Sequence, residues 1–371
     1  VDDPVLDHQL MAAGPYVLSW YACDLRTGAV VEELLALAPT QPLQRRLGAA
    51  TSCSFALALA GAPLEWESAT DQGRTMLVAT DTASGQPVWP GLTLVREGGS
   101  DPVLDLAAAS PEAYLDRRYP GDYSATATDA TTVMAALAAP LLSGGPPFVL
   151  DTALSGLLID YAIADTEDKT VLSCLQEIAA MAGAPEWTID AVWADAAQTR
   201  FQLVLRIRPT IGVQSTNPGA VFDLPGCISR YRLTESYERG RGATRVIARG
   251  EQTAGGRATS MVHTNTVLTA AGWPLWEHRW TPAAGLADAG QLERHAAEAL
   301  ALMGTGSRAW SLEAAASVAP RLGADWGLGD SVHVVIDFSP RHPRGAEAVA
   351  RAYAWTLDPG ADRVSPILLE D

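Results

Sequence analysis

The sequence predicts a mainly β protein with an α/β insertion between two β segments. Three observations carry this. First, 32 glycines and 24 prolines divide the 371 residues into short stretches. Second, many of those stretches alternate apolar and polar residues with the two-residue period of half-buried antiparallel strands. Third, three stretches follow the spacing of an amphipathic helix instead, and two of these fall together in the middle of the chain.

In chain order, turn signals stand at Arg26-Thr27-Gly28 and Ala83-Ser84-Gly85. Between them, Thr51, Cys53, Phe55, Leu57 and Leu59 are expected on one strand face, with Ser52, Ser54, Ala56 and Ala58 on the other. A first helix is expected near Asp129–Ala139, with Val133 and Leu137 four apart and Pro140 closing it. A second runs from about Asp168 to Ala182. Val171, Leu175, Ile178 and Ala182 form its stripe, Asp168 places negative charge at its start, and Gly183 stops it. Phe201, Leu203, Leu205 and Ile207 then alternate with Gln202, Val204, Arg206 and Arg208 as a strand. Ile228–Tyr237 and Ala243–Ala248 read as a hairpin turned by Arg239-Gly240-Arg241-Gly242. The third helix spans about Ala289–Met303. Leu292, Ala296, Leu300 and Met303 are its buried face, and Glu293, Arg294 and Glu298 look to water. Val332, Val334, Ile336 and Phe338 form another strand face, and Tyr353, Trp355 and Leu357 repeat the pattern. This gives a β domain at 1–109, an α/β domain at 110–222 and a second β domain with one helix at 223–371, with Ile211–Pro218 as the linker.

Charge excludes several functions. The chain holds 26 basic and 43 acidic side chains, a net −17. Such an acidic surface opposes phosphate backbones and anionic membranes. Val1-Asp2-Asp3-Pro4 lacks the basic and apolar blocks of a signal peptide. The longest uncharged apolar stretch, Thr131 to Leu150, is broken by Pro140, Gly144, Gly145, Pro146 and Pro147, so no membrane-spanning helix is expected. Lys169 is the sole lysine, which points to a GC-rich genome. Cys23, Cys53, Cys174 and Cys227 are far apart and are expected as buried thiols, neither disulfides nor zinc ligands.

No catalytic or cofactor motif is present: no GxSxG elbow, HExxH, phosphate-binding GxxxxGK[ST] or GxGxxG between strand and helix. His263, His278, His333 and His342 have no partners at metal-ligand spacing. The expectation is no catalytic residue, no metal and no cofactor.

Two constellations remain. Arg230, Arg232, Arg239, Arg241, Arg245 and Arg249 fall within twenty residues of an acidic chain. They form either a solvated strand face or a docking edge for acidic surface on a neighbouring subunit. Trp273, Trp276 and Trp280 lie within eight residues, with Trp276 and Trp280 sharing strand parity. They are either core or a protein–protein hot spot. Arg239, Arg241, Arg245, Trp273, Trp276 and Trp280 are therefore the candidate subunit-interface residues.

A family resemblance extends over essentially the whole chain. Asp168-Lys169-Thr170-Val171-Leu172-Ser173-Cys174-Leu175-Gln176-Glu177-Ile178, followed by Gly183-Ala184-Pro185-Glu186-Trp187-Thr188-Ile189, resembles the minor tail (tail-tip hub) proteins of long-tailed phages that infect actinobacteria. Tyr114-Leu115-Asp116-Arg117-Arg118-Tyr119, Gly272-Trp273-Pro274 and Leu328-Gly329-Asp330 leading to Asp337-Phe338-Ser339-Pro340-Arg341-His342-Pro343 match in order. The chain is shorter than many of these relatives, so a receptor-binding or hydrolytic appendage is expected on another protein. The resemblance implies a fold like the hub proteins of contractile-tailed phages: two antiparallel β-barrel-like domains separated by an α/β domain, assembled as a homotrimer. It implies a virion protein at the tail tip, made in the bacterial host cytoplasm, that adapts a six-fold tail to a three-fold tip. Its expected partners are the distal tail protein ring, the tape measure protein and a central fibre or spike, with DNA only in transit through the channel. A tail-associated cell-wall hydrolase and a host-glycan-binding module are the alternatives.

Overall fold

The computed structural model describes residues 16–181, 183–253, 256–281 and 289–370. Ala182 and Val1–Pro4, both used above, lie outside them. Strands hold 45% of the residues and helices 17%. Two barrel-like β sheets flank an α/β unit, the architecture expected from the sequence.

The N-terminal sheet is antiparallel throughout. Its strands lie in the spatial order Val30–Glu33, Leu18–Asp24, Thr75–Asp81, Pro87–Glu97, Val103–Ala109, Ser52–Ala58 and Leu37–Pro39. Cys53, Phe55 and Leu57 point into its core as their alternation requires, whereas Leu59 has left the strand for a short 3-10 turn. Thr75–Asp81 does not alternate, because every residue in it is buried. Leu77 and Ala79 face the β core, and Met76 and Val78 face the α/β unit behind the sheet. A strand covered on both faces reads as one apolar run.

The C-terminal sheet has the order Val221–Leu224, Ser331–Ile336, Ala346–Asp358, Arg363–Leu369, Ser307–Ala315 and Ile228–Ser236, with only the first pair parallel. Leu43–Arg46, from the N-terminal part of the chain, adds a further strand by pairing with Leu357–Ala354. The two sheets also share one apolar core, in which Trp20, Phe55 and Trp89 are continuous with Phe222, Trp310 and Trp355. Arg321 crosses between them to the fully buried Asp81 at 2.8 Å, with its guanidinium over the Tyr16 ring.

The α/β unit packs helices Ala130–Leu137 and Val171–Ala179 against a sheet of Phe148–Thr152, Phe201–Arg208 and Glu186–Trp193. Asp129 caps the first helix through the Thr131 N–H and also accepts from the Ser155 and Gly156 N–H groups. Burial pushes its carboxyl up, but these hydrogen bonds outweigh it and hold the group below the usual range. The unit is bolted to the C-terminal sheet, to which strands Leu43–Arg46 and Ala346–Asp358 both belong. Buried Arg45 reaches Glu112, Asp190, the Thr188 hydroxyl and the Ile189 carbonyl. Arg351 grips Glu186 bidentately at 2.7 and 2.8 Å.

Four local expectations are corrected. The second helix begins at Val171 with Thr170 as its cap, because Asp168 is held in a left-handed conformation (φ 51°) ending the preceding turn. Phe338 is exposed, since its strand ends at Ile336 and the chain turns away. Tyr353 leaves the core face because a bulge between Ala352 and Ala354 shifts the alternation, and Trp355 and Leu357 alone stay inside. The arginine hairpin does not form. Ile228–Ser236 pairs with Ser307–Ala315, whereas Arg245–Thr253 belongs to a separate small sheet. Everything between Ser236 and Ser307, which are register partners, is an inserted module.

Candidate assembly surface

The module is built on strand Arg245–Thr253. Gly256–Thr259 and His263–Thr264 pair with it antiparallel, and Glu277–Trp280 pairs parallel. Helix Ala289–Met303 covers one face, as its spacing predicts, with Leu292 and Ala296 fully buried and Leu300 and Met303 partly so. Glu293 does not simply face water. It accepts from the Met261 N–H and pairs with His263 at 2.6 Å. Among the described residues, the module's own buried apolar core is Ala243, Val246, Ala248, Leu292 and Ala296.

Its neck is aromatic. Tyr237 follows the last sheet residue, and its ring lies against Gly242, where a Cβ would stand 2.4 Å from the ring carbons. Gly306 returns the chain at φ 78°, where a side chain would meet the Ser236 carbonyl at 2.8 Å. Both positions need glycine for the chain to leave and rejoin the sheet. Trp273 and Trp276 gather round the same ring, with centroids 5.3 and 5.9 Å away. Burial raises the Tyr237 hydroxyl's pKa, and that hydroxyl donates to the Gly304 carbonyl.

The tryptophan segment is fixed by its backbone. The buried Thr244 hydroxyl donates to the Pro274 carbonyl and accepts from the Trp276 N–H at 2.8 Å. The Trp276 carbonyl in turn accepts from the Thr244 and Arg245 N–H groups. The segment therefore presents Trp273, Leu275 and Trp276 rigidly, at 41, 50 and 50% exposure. Strand parity does not govern the three tryptophans, because the strand begins only at Glu277. Trp273 and Trp276 share the Tyr237 side, and Trp280 turns inward to stack on His295 at 4.5 Å. Burial, with the Arg294 charge adding to it, lowers the His295 pKa and favours a neutral ring there.

The candidate arginines divide similarly. Arg245 is engaged within the module by Glu277 and Thr264 at 3.3 Å each. Arg239 and Arg241 are exposed beside the aromatic neck and have no ion-pair partner among the described residues. Arg239 also acts on His278, whose pKa is lowered first by burial and then by that charge. Arg239, Arg241, Trp273 and Trp276 are thus all exposed, whereas Arg245 is paired within the module and Trp280 is turned inward. Sequence reasoning missed Tyr237 and Leu275. Tyr237 was hidden by the hairpin reading, whereas Leu275 lies between the two tryptophans in the sequence itself.

Elsewhere, no group of three or more His, Cys, Asp or Glu is placed to hold a metal among the described residues. The four cysteines are free and buried, and burial lifts the Cys23 and Cys53 thiols to about 12 and Cys227 to about 11. No helix among the described residues is long and apolar enough to cross a membrane.

No protein-family model matches the chain, and no curated protein matches it in sequence. Solved structures do. A tail protein from Neisseria meningitidis superposes with a TM-score of 0.61 at 16% identity, over 96% of this chain and 97% of that one. A prophage tail protein from Listeria monocytogenes gives 0.57 at 10% identity, over 95% and 94%. A 43 kDa prophage tail protein from Shewanella oneidensis gives 0.53 at 14%, again over 95% and 94%. Along nearly its whole length, the chain has the fold of these tail proteins.

Proposed function

We propose that the chain is a structural, non-enzymatic protein of a phage virion that forms a trimeric hub at the tail tip. The observation that carries this reading is the tail-protein fold over the full chain, with two barrel-like β sheets fused through one core. In this reading residues 1–109 and 223–371 supply the barrels and 110–222 the unit between them. Three copies offer six near-equivalent barrel positions to a six-fold distal tail ring, while the other face keeps three-fold symmetry for a central fibre or spike. The ring lines the channel for the tape measure protein and for DNA. An acidic wall suits that passage, because the net charge of −17 repels phosphate. The use of arginine almost to the exclusion of lysine fits a high-GC actinobacterial host.

Arg239, Arg241, Trp273 and Trp276 are proposed as subunit-contact residues, with Arg245 and Trp280 engaged within the module. Changing both Arg239 and Arg241 to Glu is expected to deplete the protein from tail particles. Full incorporation of the double variant would contradict the contact. A density map of the tail tip tests the hub itself: a closed ring of three copies is expected, and a neutral or basic lumen would remove the acidic wall.

One observation favours a second reading. The two tryptophans and Tyr237 are presented together, as a glycan platform requires. Host glycans that alter tryptophan fluorescence would support that reading, and unchanged fluorescence would count against it.

A further inference from the structure

The N-terminal sheet carries an uncompensated charge pair. Glu97 and Asp105 are direct partners across the antiparallel strands Pro87–Glu97 and Val103–Ala109, and both are exposed. Like charges in that position destabilise a sheet. Neither carboxylate has a hydrogen-bond or ion-pair partner among the described residues. The neighbouring Arg96 is no help, since it binds the Glu67 carbonyl, Thr70 and Asp71 and lies over Trp66. Some other acidic groups are satisfied locally. Glu167, for instance, accepts from the Ala164 N–H and pairs with Lys169.

The surroundings of the pair suit a partner. Ala107 and Ala56 are its register neighbours on the same outward face, so the floor is shallow. Val95 and Val103 stand exposed at the rim. This is an exposed acidic and apolar patch. The module surface of Arg239, Arg241, Trp273 and Trp276 is its chemical complement, basic and apolar and rich in large side chains. Charge is distributed to match. Residues 237–306 hold seven of the 26 basic side chains but only six of the 43 acidic ones, so the module is slightly positive while the rest of the chain carries the whole acidic excess. Within one chain, no ion pair joins the two surfaces among the described residues.

We infer that the Glu97/Asp105 face receives the module of a second copy of this chain. The inference rests on the hub reading and names its acceptor surface. Arg239 and Arg241 stand against the facing carboxylates and offset their repulsion, and the indoles pack on the alanine floor. Donor and acceptor are different surfaces, so the contact is head-to-tail and closes into a ring only at a fixed copy number.

The test uses the purified full chain in sedimentation equilibrium. Glu97→Gln with Asp105→Asn is expected to weaken association about ten-fold or more, the effect of losing close interfacial charge pairs. The same change is expected to keep or raise the urea midpoint of unfolding, because the repulsion is gone, which separates lost assembly from lost folding. Glu97→Arg with Asp105→Arg is expected to abolish association. Adding Arg239→Glu and Arg241→Glu to that variant is expected to restore it. Unchanged association of the neutralised variant, or no rescue by the fourfold swap, would overturn the acceptor assignment and leave the hub reading standing. A wild-type chain that stays monomeric would overturn the hub reading itself.

Discussion

Arg45 joins more of this molecule than any motif in its sequence suggests. It lies on the strand that crosses into the C-terminal sheet, yet its guanidinium is spent on Glu112 and Asp190 of the α/β unit. Glu112 is 1% exposed, and one of its oxygens already lacks a partner among the described residues. Arg45→Met is therefore expected to cost about 3–5 kcal/mol in urea unfolding, since it strands a buried charge. A change below about 1 kcal/mol would mean that water reaches Glu112. Asp151 makes a second test. Hydrogen bonds from Arg208 first, then the charges of Arg208 and Arg206, outweigh burial and hold its carboxyl below the usual range. A carboxylate lowered in the fold stabilises it above the ordinary value of about 3.9 and loses that contribution as pH falls through the lowered one. Asp151→Asn is expected to be less stable than wild type at neutral pH, with the gap closing below about pH 4 in thermal melts. A gap independent of pH would refute the assignment. Neither residue was legible in the sequence. Their partners stand tens of residues away, and nothing in local spacing brings them together.

Elements were legible where one face meets the core and the other meets water. Cys53, Phe55 and Leu57, or Leu292 and Ala296, announce their burial by period alone. The reading failed where pairing is non-local. The stretches Ile228–Tyr237 and Ala243–Ala248, with a glycine-rich turn between them, satisfy every local rule for a hairpin. The strand nevertheless takes its partner from Ser307–Ala315, beyond the whole module. The tryptophan parity failed for a related reason: the chain before Glu277 is pinned by Thr244 and follows no strand. Because Ser236 and Ser307 are register partners, residues 237–306 are expected to be replaceable by an Asn-Gly turn. The shortened chain should keep its β circular dichroism and cooperative unfolding but lose self-association. A chain that no longer folds would make the module part of the common core rather than an appended contact element.

On the scale of the whole molecule, the two β sheets behave as one body. A shared core, an exchanged strand at Leu43–Arg46 and the Arg321–Asp81 pair all cross between them. Such a body holds the two sheets at a fixed spacing, as the proposed three-fold hub would require to meet a six-fold ring. The order β, α/β, β was legible because each class leaves its own period in the sequence. The fusion of the cores was not, since Thr75–Asp81 shows only that both its faces are covered and not by what. The net charge that argued against nucleic acid and membrane partners gains a second meaning here, because a slightly basic module sits on an acidic body, the distribution on which the inferred contact between copies rests. Native mass spectrometry of the purified chain at micromolar concentration tests the central claim most directly. The account predicts a dominant species at three times the chain mass of 39.1 kDa, whereas a spectrum of monomer alone at every concentration would contradict it.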